Sequence, residues 1–124
     1  MSARPSWFYA ALWAQSIYYL LSGALPLVSM SLFESLTGPK TDLWLVRMVA
    51  LLAVTLGVVL GLAAARKRIV PETIWLSVLA ALSFATIDVI YVLNGTIRKI
   101  YLADAAIEVA LAIVILVSSR PSSR

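Results

Sequence analysis

The chain has no cysteine and no histidine, and only 13% of its 124 residues are charged. The missing cysteine excludes disulfides, thiolate metal sites and thiol redox chemistry. The missing histidine removes the usual proton shuttle and the commonest metal or haem ligand. Chemistry is left to carboxylates, Arg, Tyr, Gln and the backbone. A soluble domain carries about a quarter charged residues, so charge is scarce here, and it is confined to short connectors between long apolar runs. That pattern is the mark of a polytopic membrane protein. The formal charge of +4 does not point to nucleic acid, because the basic residues flank apolar runs and form no basic face.

Each of four apolar segments is long enough to cross a hydrocarbon layer that needs ~20 helical residues. They predict an all-α membrane protein, a four-transmembrane-helix antiparallel bundle in a single domain over residues 1–124, with spans at about 7–32, 43–65, 73–93 and 100–117. The first is over-long. Pro26 is expected to kink or end it, leaving Leu27–Leu36 as a tilted extension or interfacial turn. A signal peptide cut near Ser22-Gly23-Ala24 competes for this segment, but the run is too long and too rich in Trp and Tyr, so it is expected to stay as a span. Thr41 or Asp42 serves as N-cap of the second span, and Pro71 precedes the first turn of the third. Asn94-Gly95 is a turn signal that folds the last two spans into a hairpin; read with Thr96 it is also a glycosylation sequon, and the turn is the stronger reading.

Lysine and arginine set the orientation. Arg4, Arg66, Lys67, Arg68, Arg120 and Arg124 fall on one side, and Lys40, Arg98 and Lys99 on the other, with Arg47 just inside the second span. The expectation is a multi-pass protein of the bacterial inner (plasma) membrane with both termini cytoplasmic. Trp7, Trp13 and Trp75 then belong to one interface and Trp44, Tyr91 and Tyr101 to the other.

Ionisable residues inside the spans are the functional signal, because each costs ~2.5–3.5 kcal/mol at mid-membrane. Arg47, Asp88, Asp104 and Glu108 come from three spans, yet all lie within about one to two turns of the external side. Asp104 and Glu108 are i,i+4 neighbours with Tyr101 one turn further out. Ser77, Ala81, Phe84, Asp88 and Tyr91 share a stripe of the third span. Arg47 lines up with Ala50, Val54, Gly57, Gly61 and Ala64, a small-residue stripe containing the GxxxG run Gly57–Gly61 that allows close helix contact. Arg47 is therefore expected on the packing face, paired with one or two acids. The first span adds the polar stripe Gln15, Tyr18, Tyr19 and Ser22. One guanidinium cannot neutralise three carboxylates, so a shared proton or a bound cation is expected as well. Glu34 and the Thr37–Lys40 turn lie at the mouth.

The run TGPKTDLWLVR at Thr37–Arg47, the acid late in span three and DAAIE at Asp104–Glu108 resemble a group of small uncharacterised bacterial four-helix membrane proteins. More distantly, the plan is similar to DoxX-like families, with Gly23 and Pro26 late in span one, Arg47 opening span two, Asp88 in span three and Glu108 in span four. The resemblance implies the fold. It also implies quinone-linked or redox-stress roles, which this chain could fill only with a partner or a bound quinone, since it lacks Cys and His.

The leading expectation is a pocket of Arg47, Asp88, Tyr91, Tyr101, Asp104, Glu108, Gln15 and Tyr19 that binds a small cationic or lipophilic ligand such as a quinone or lipid. The chain would sit in the bilayer alone, as a homodimer or as an accessory subunit of a larger membrane complex. A proton-coupled transporter is the first alternative. Small multidrug exporters have a similar length but carry their acid in the first span, which here has none. A structural subunit with a buried ionic lock is the second alternative. No nucleophile or metal constellation supports catalysis, and no cofactor is indicated.

Overall fold

The computed structural model describes residues 4–120; Arg124, which enters the charge count, lies outside them. The chain is all-α: α1 (Ser6–Val28), α2 (Met30–Thr37), α3 (Leu43–Arg66), α4 (Pro71–Leu93) and α5 (Ile100–Ser118), with no strand among the described residues. α1, α3, α4 and α5 are each long and apolar enough to cross a membrane. They form a four-helix bundle whose successive long helices run antiparallel. Trp7 and Trp75 are exposed at one end, called here the Arg66 end, and Trp44 at the other, the Lys40 end.

The first apolar run is two helices rather than one span reaching residue 32. Pro26 sits inside α1 and has no N–H to give the carbonyl one turn back. The helix survives it by two residues. At Ser29 the backbone turns extended, and its side chain accepts from the Leu32 N–H at 3.2 Å, which caps the new helix α2. The other boundaries follow local signals. Pro71 opens α4. Lys67 closes α3 in the left-handed region at φ 54°. Gly95, at φ 82°, lets the Asn94 side chain accept from the Thr96 N–H and hydroxyl. Asp42 occupies the N-cap position of α3 but makes no side-chain cap bond.

The closest helix pairs are α1 with α3 and α4 with α5, and the two pairs meet chiefly where α1 crosses α5. Small residues bring α1 and α3 together. A Cβ on Gly23 would stand 2.6 Å from the Ala50 carbonyl oxygen, and one on Gly57 would stand 2.9 Å from that of Ser16. The Ser16 hydroxyl donates to the Gly57 carbonyl at 2.6 Å. The GxxxG face is therefore used inside the bundle. Phe8, Leu12, Leu60, Ala64, Val78, Ala112 and Ile115 form a buried apolar core. Their positions, early in α1 and α4 and late in α3 and α5, place that core in the Arg66 half. The other half holds a cavity.

Candidate functional site

The cavity measures about 500 Å³ and is walled by α1, α3, α4 and α5, with Phe33 and Thr37 of α2 and Lys40 of the following loop across its Lys40 end. Asp88, Asp104 and Glu108 all line it, among Tyr18, Tyr19, Phe84 and Tyr101. Helical spacing explains the meeting. Asp104 and Glu108 stack one turn apart on α5, and Asp88 continues the Ser77–Ala81–Phe84 stripe of α4. Asp88 is only 6% exposed and Glu108 2%.

The partners of these acids are tyrosines. Tyr18 donates its hydroxyl to Asp104, and Tyr19 donates to Glu108 at 2.7 Å. Behind Tyr19 the network continues: Gln15 Nε2 donates to the Tyr19 oxygen at 3.2 Å and to the Ser77 carbonyl at 3.0 Å, while the Ser77 hydroxyl donates to Gln15 Oε1. Gln15 is thus the layer beneath the cavity rather than part of its wall. Asp88 shares the cavity wall with Asp104, and its Oδ2 is buried with no partner. A buried acceptor left bare is costly and asks for a proton or a ligand.

Two expected members are elsewhere. Arg47 is exposed and does not line the cavity, so the expected Arg47–carboxylate pairing is absent. The stripe joining it to Ala50 and Gly57 follows a repeat of about 3.5 residues, whereas the helix turns every 3.6. The buried residues of α3 are Ala50, Ala53, Gly57, Leu60, Gly61 and Ala64, and Arg47 lies about 90° from their centre. Tyr91 fails for the same reason: it is 40% exposed, about 90° from the buried face of α4, and absent from the wall.

The cation that does reach the cavity is Lys40. Its ammonium donates to the carbonyls of Thr37 and Gly38 at 3.2 and 2.8 Å and to the Thr37 hydroxyl at 3.2 Å. It stands over the rings of Phe33 and Tyr101 at 5.5 and 5.3 Å. The Lys40 N–H donates to Glu34 Oε2 at 2.9 Å, which ties the loop to α2. Burial lowers the Lys40 pKa, opposed in part by Glu34. Sequence reasoning placed this turn at the mouth without giving Lys40 a role. It also left Tyr18 and Phe84 in stripes without a role at the site and passed over Phe33; consecutive tyrosines in a membrane span were the available signal.

Among the described residues, no group of three or more acids, histidines or cysteines is arranged to hold a metal ion. The wall can instead hold an organic cation, with acceptors on α4 and α5 and aromatic faces around them. No protein-family model matches the chain, and no curated protein or solved structure matches it either.

Proposed function

We propose that this multi-pass protein lies in the bacterial inner membrane, both termini cytoplasmic, and that its cavity binds a small lipophilic cation. The carrying observation is a cavity with three carboxyls, of which two are met by tyrosine hydroxyls and the third keeps an unpartnered, buried Oδ2. A bound ammonium supplies the missing donor and the missing charge together, and Tyr18, Tyr19, Phe84 and Tyr101 offer faces to its apolar body. A quinone fits less well, because it only accepts hydrogen bonds and the Tyr18 and Tyr19 hydroxyls already give their protons to Asp104 and Glu108. The ionic-lock reading loses its cation, since Arg47 is on another flank of α3. The DoxX-like plan belongs to the same proposal. Of the residues on which it rests, Gly23, Pro26, Asp88 and Glu108 line the cavity, and Arg47 does not.

The convergence of Asp88, Asp104 and Glu108 on one cavity favours a second reading, proton-coupled transport. Carboxyls crowded on one apolar wall share a proton, and an arriving cation displaces it. In sealed vesicles an amine gradient should then drive protons the other way across the membrane, whereas a site that only binds leaves the internal pH unchanged.

The test of binding uses 2-phenylethylamine, small enough to fit wholly within the cavity. A saturating concentration, about a hundred times Kd, should stabilise the purified protein by about 2.7 kcal/mol. Glu108→Gln and Asp88→Asn should weaken binding at least tenfold while folding yield stays normal. An unstabilised wild type, or variants that respond as it does, would end this reading; loss of yield alone would favour a structural role.

A further inference from the structure

The way into the cavity narrows the class of ligand. α3 and α5 face each other across the cavity, each with α1 and α4 as its neighbours. Leu45 and Val49 on α3, and Ile100 and Ile107 on α5, line the cavity and are also 41%, 49%, 52% and 42% exposed. The cavity surface therefore opens on the flank of the bundle through a gap lined by apolar side chains of α3 and α5. The two ends of the cavity are covered. The Lys40 end is crossed by Phe33 and by Lys40, whose main chain and ammonium are both hydrogen-bonded. The Arg66 end is filled by the core around Leu12 and Leu60, both fully buried.

An opening at span depth, rimmed by Leu, Val and Ile, is a poor path for a hydrated ion and a good one for a molecule already dissolved in hydrocarbon. Ile107 is the chain neighbour of Glu108, so the opening leads directly to the acids. The bare Oδ2 of Asp88, buried in the same wall, supplies an independent call for a donor. We infer that the cavity is entered sideways from the hydrocarbon layer, over these apolar side chains of α3 and α5, and that its ligand is a membrane-dissolved amphiphilic amine whose ammonium meets the acids while its chain leaves through the gap. This inference rests on the cation-pocket reading and adds the route and the tail.

The experiment measures saturable binding of two labelled amines to the protein in lipid nanodiscs, with empty nanodiscs subtracted. Hexadecylamine has a chain too long for the cavity, and 2-phenylethylamine has none that must leave it. Wild type should bind hexadecylamine at least tenfold more tightly. Val49→Trp and Ile107→Trp, which add bulk where the cavity meets the flank, should weaken hexadecylamine at least tenfold more than they weaken 2-phenylethylamine. Leu62→Trp and Ile113→Trp, equal in bulk and exposed on the same helices away from the cavity, should change neither. If the gap variants leave hexadecylamine unaffected while Glu108→Gln still abolishes both amines, the lateral route is wrong and the pocket stands. If neither amine binds saturably, or Glu108→Gln changes neither, the pocket reading falls and this one with it.

Discussion

Tyr18 and Tyr19 are consecutive, so their side chains leave α1 about 100° apart, and each finds a different acid on α5. The two bonds differ in burial. Glu108 is 2% exposed, and Tyr19 both donates to it and accepts from Gln15. Asp104 and Tyr18 are only half-buried. Tyr19→Phe should therefore destabilise the protein by about 1–2 kcal/mol, and Tyr18→Phe by less, because a buried acid stripped of its donor loses more than one that water can reach. Unfolding in mixed micelles would measure both; equal losses would mean that burial does not set the cost. Lys40 makes a pH-dependent prediction. Its folded pKa is below the ordinary 10.5, so between the two values the unfolded chain binds more protons than the folded one. Stability must then rise with pH through that window. The difference in stability between wild type and Lys40→Met should shift in favour of wild type from about pH 8 to 11; a flat difference would show that the ammonium is not desolvated.

The α1–α3 contact is set by what a methyl group would strike. On Gly23 it would meet the Ala50 carbonyl oxygen at 2.6 Å, which is backbone and cannot step aside; on Gly61 it would meet the Ser16 hydroxyl at 2.6 Å, which can rotate. Gly23→Ala should cost about 1–3 kcal/mol and disturb the cavity that Gly23 lines. Gly61→Ala should cost less, near the value of the Ser16–Gly57 bond it displaces, about 1 kcal/mol. Thermal unfolding orders the two; the reverse order would mean that the helices separate easily. The same elements show what could be read from sequence. Long apolar runs announced α3, α4 and α5, because hydrocarbon demands uninterrupted helix. Asp88, Asp104 and Glu108 stood out because such residues are expensive there. Periodicity misled only at the stripe ends: a heptad line drawn from Gly57 to Arg47, or from Ser77 to Tyr91, drifts off the buried face by an angle that matters most at the last residue. Pro26 announced the break that falls at Ser29, whereas the position of Lys40 depends on how the short helix α2 folds over the bundle, and no local pattern encodes that.

The whole molecule is asymmetric end to end, with a filled core near Arg66 and a cavity near Lys40, so which end faces the cytoplasm decides which pool of ligand the cavity meets. Basic residues bias that choice. Arg4, Arg66, Lys67, Arg68, Arg120 and Arg124 stand against Lys40, Arg98 and Lys99, and Arg47 counts with the latter because it is exposed within reach of their interface. Replacing Arg66, Lys67 and Arg68 by Gln leaves Arg4, Arg120 and Arg124 against Lys40, Arg47, Arg98 and Lys99, and the bias is gone. A chain without cysteine gives this prediction a clean measurement, because any introduced thiol is the only one. In intact cells a membrane-impermeant maleimide should label Asn94→Cys and spare Glu72→Cys. In the Gln-substituted background both should label in part, as the population divides between two orientations. Labelling of Glu72→Cys alone in the unaltered background would reverse the assignment: the acids would lie in the cytoplasmic half, and an amine entering from the side would come from the inner leaflet.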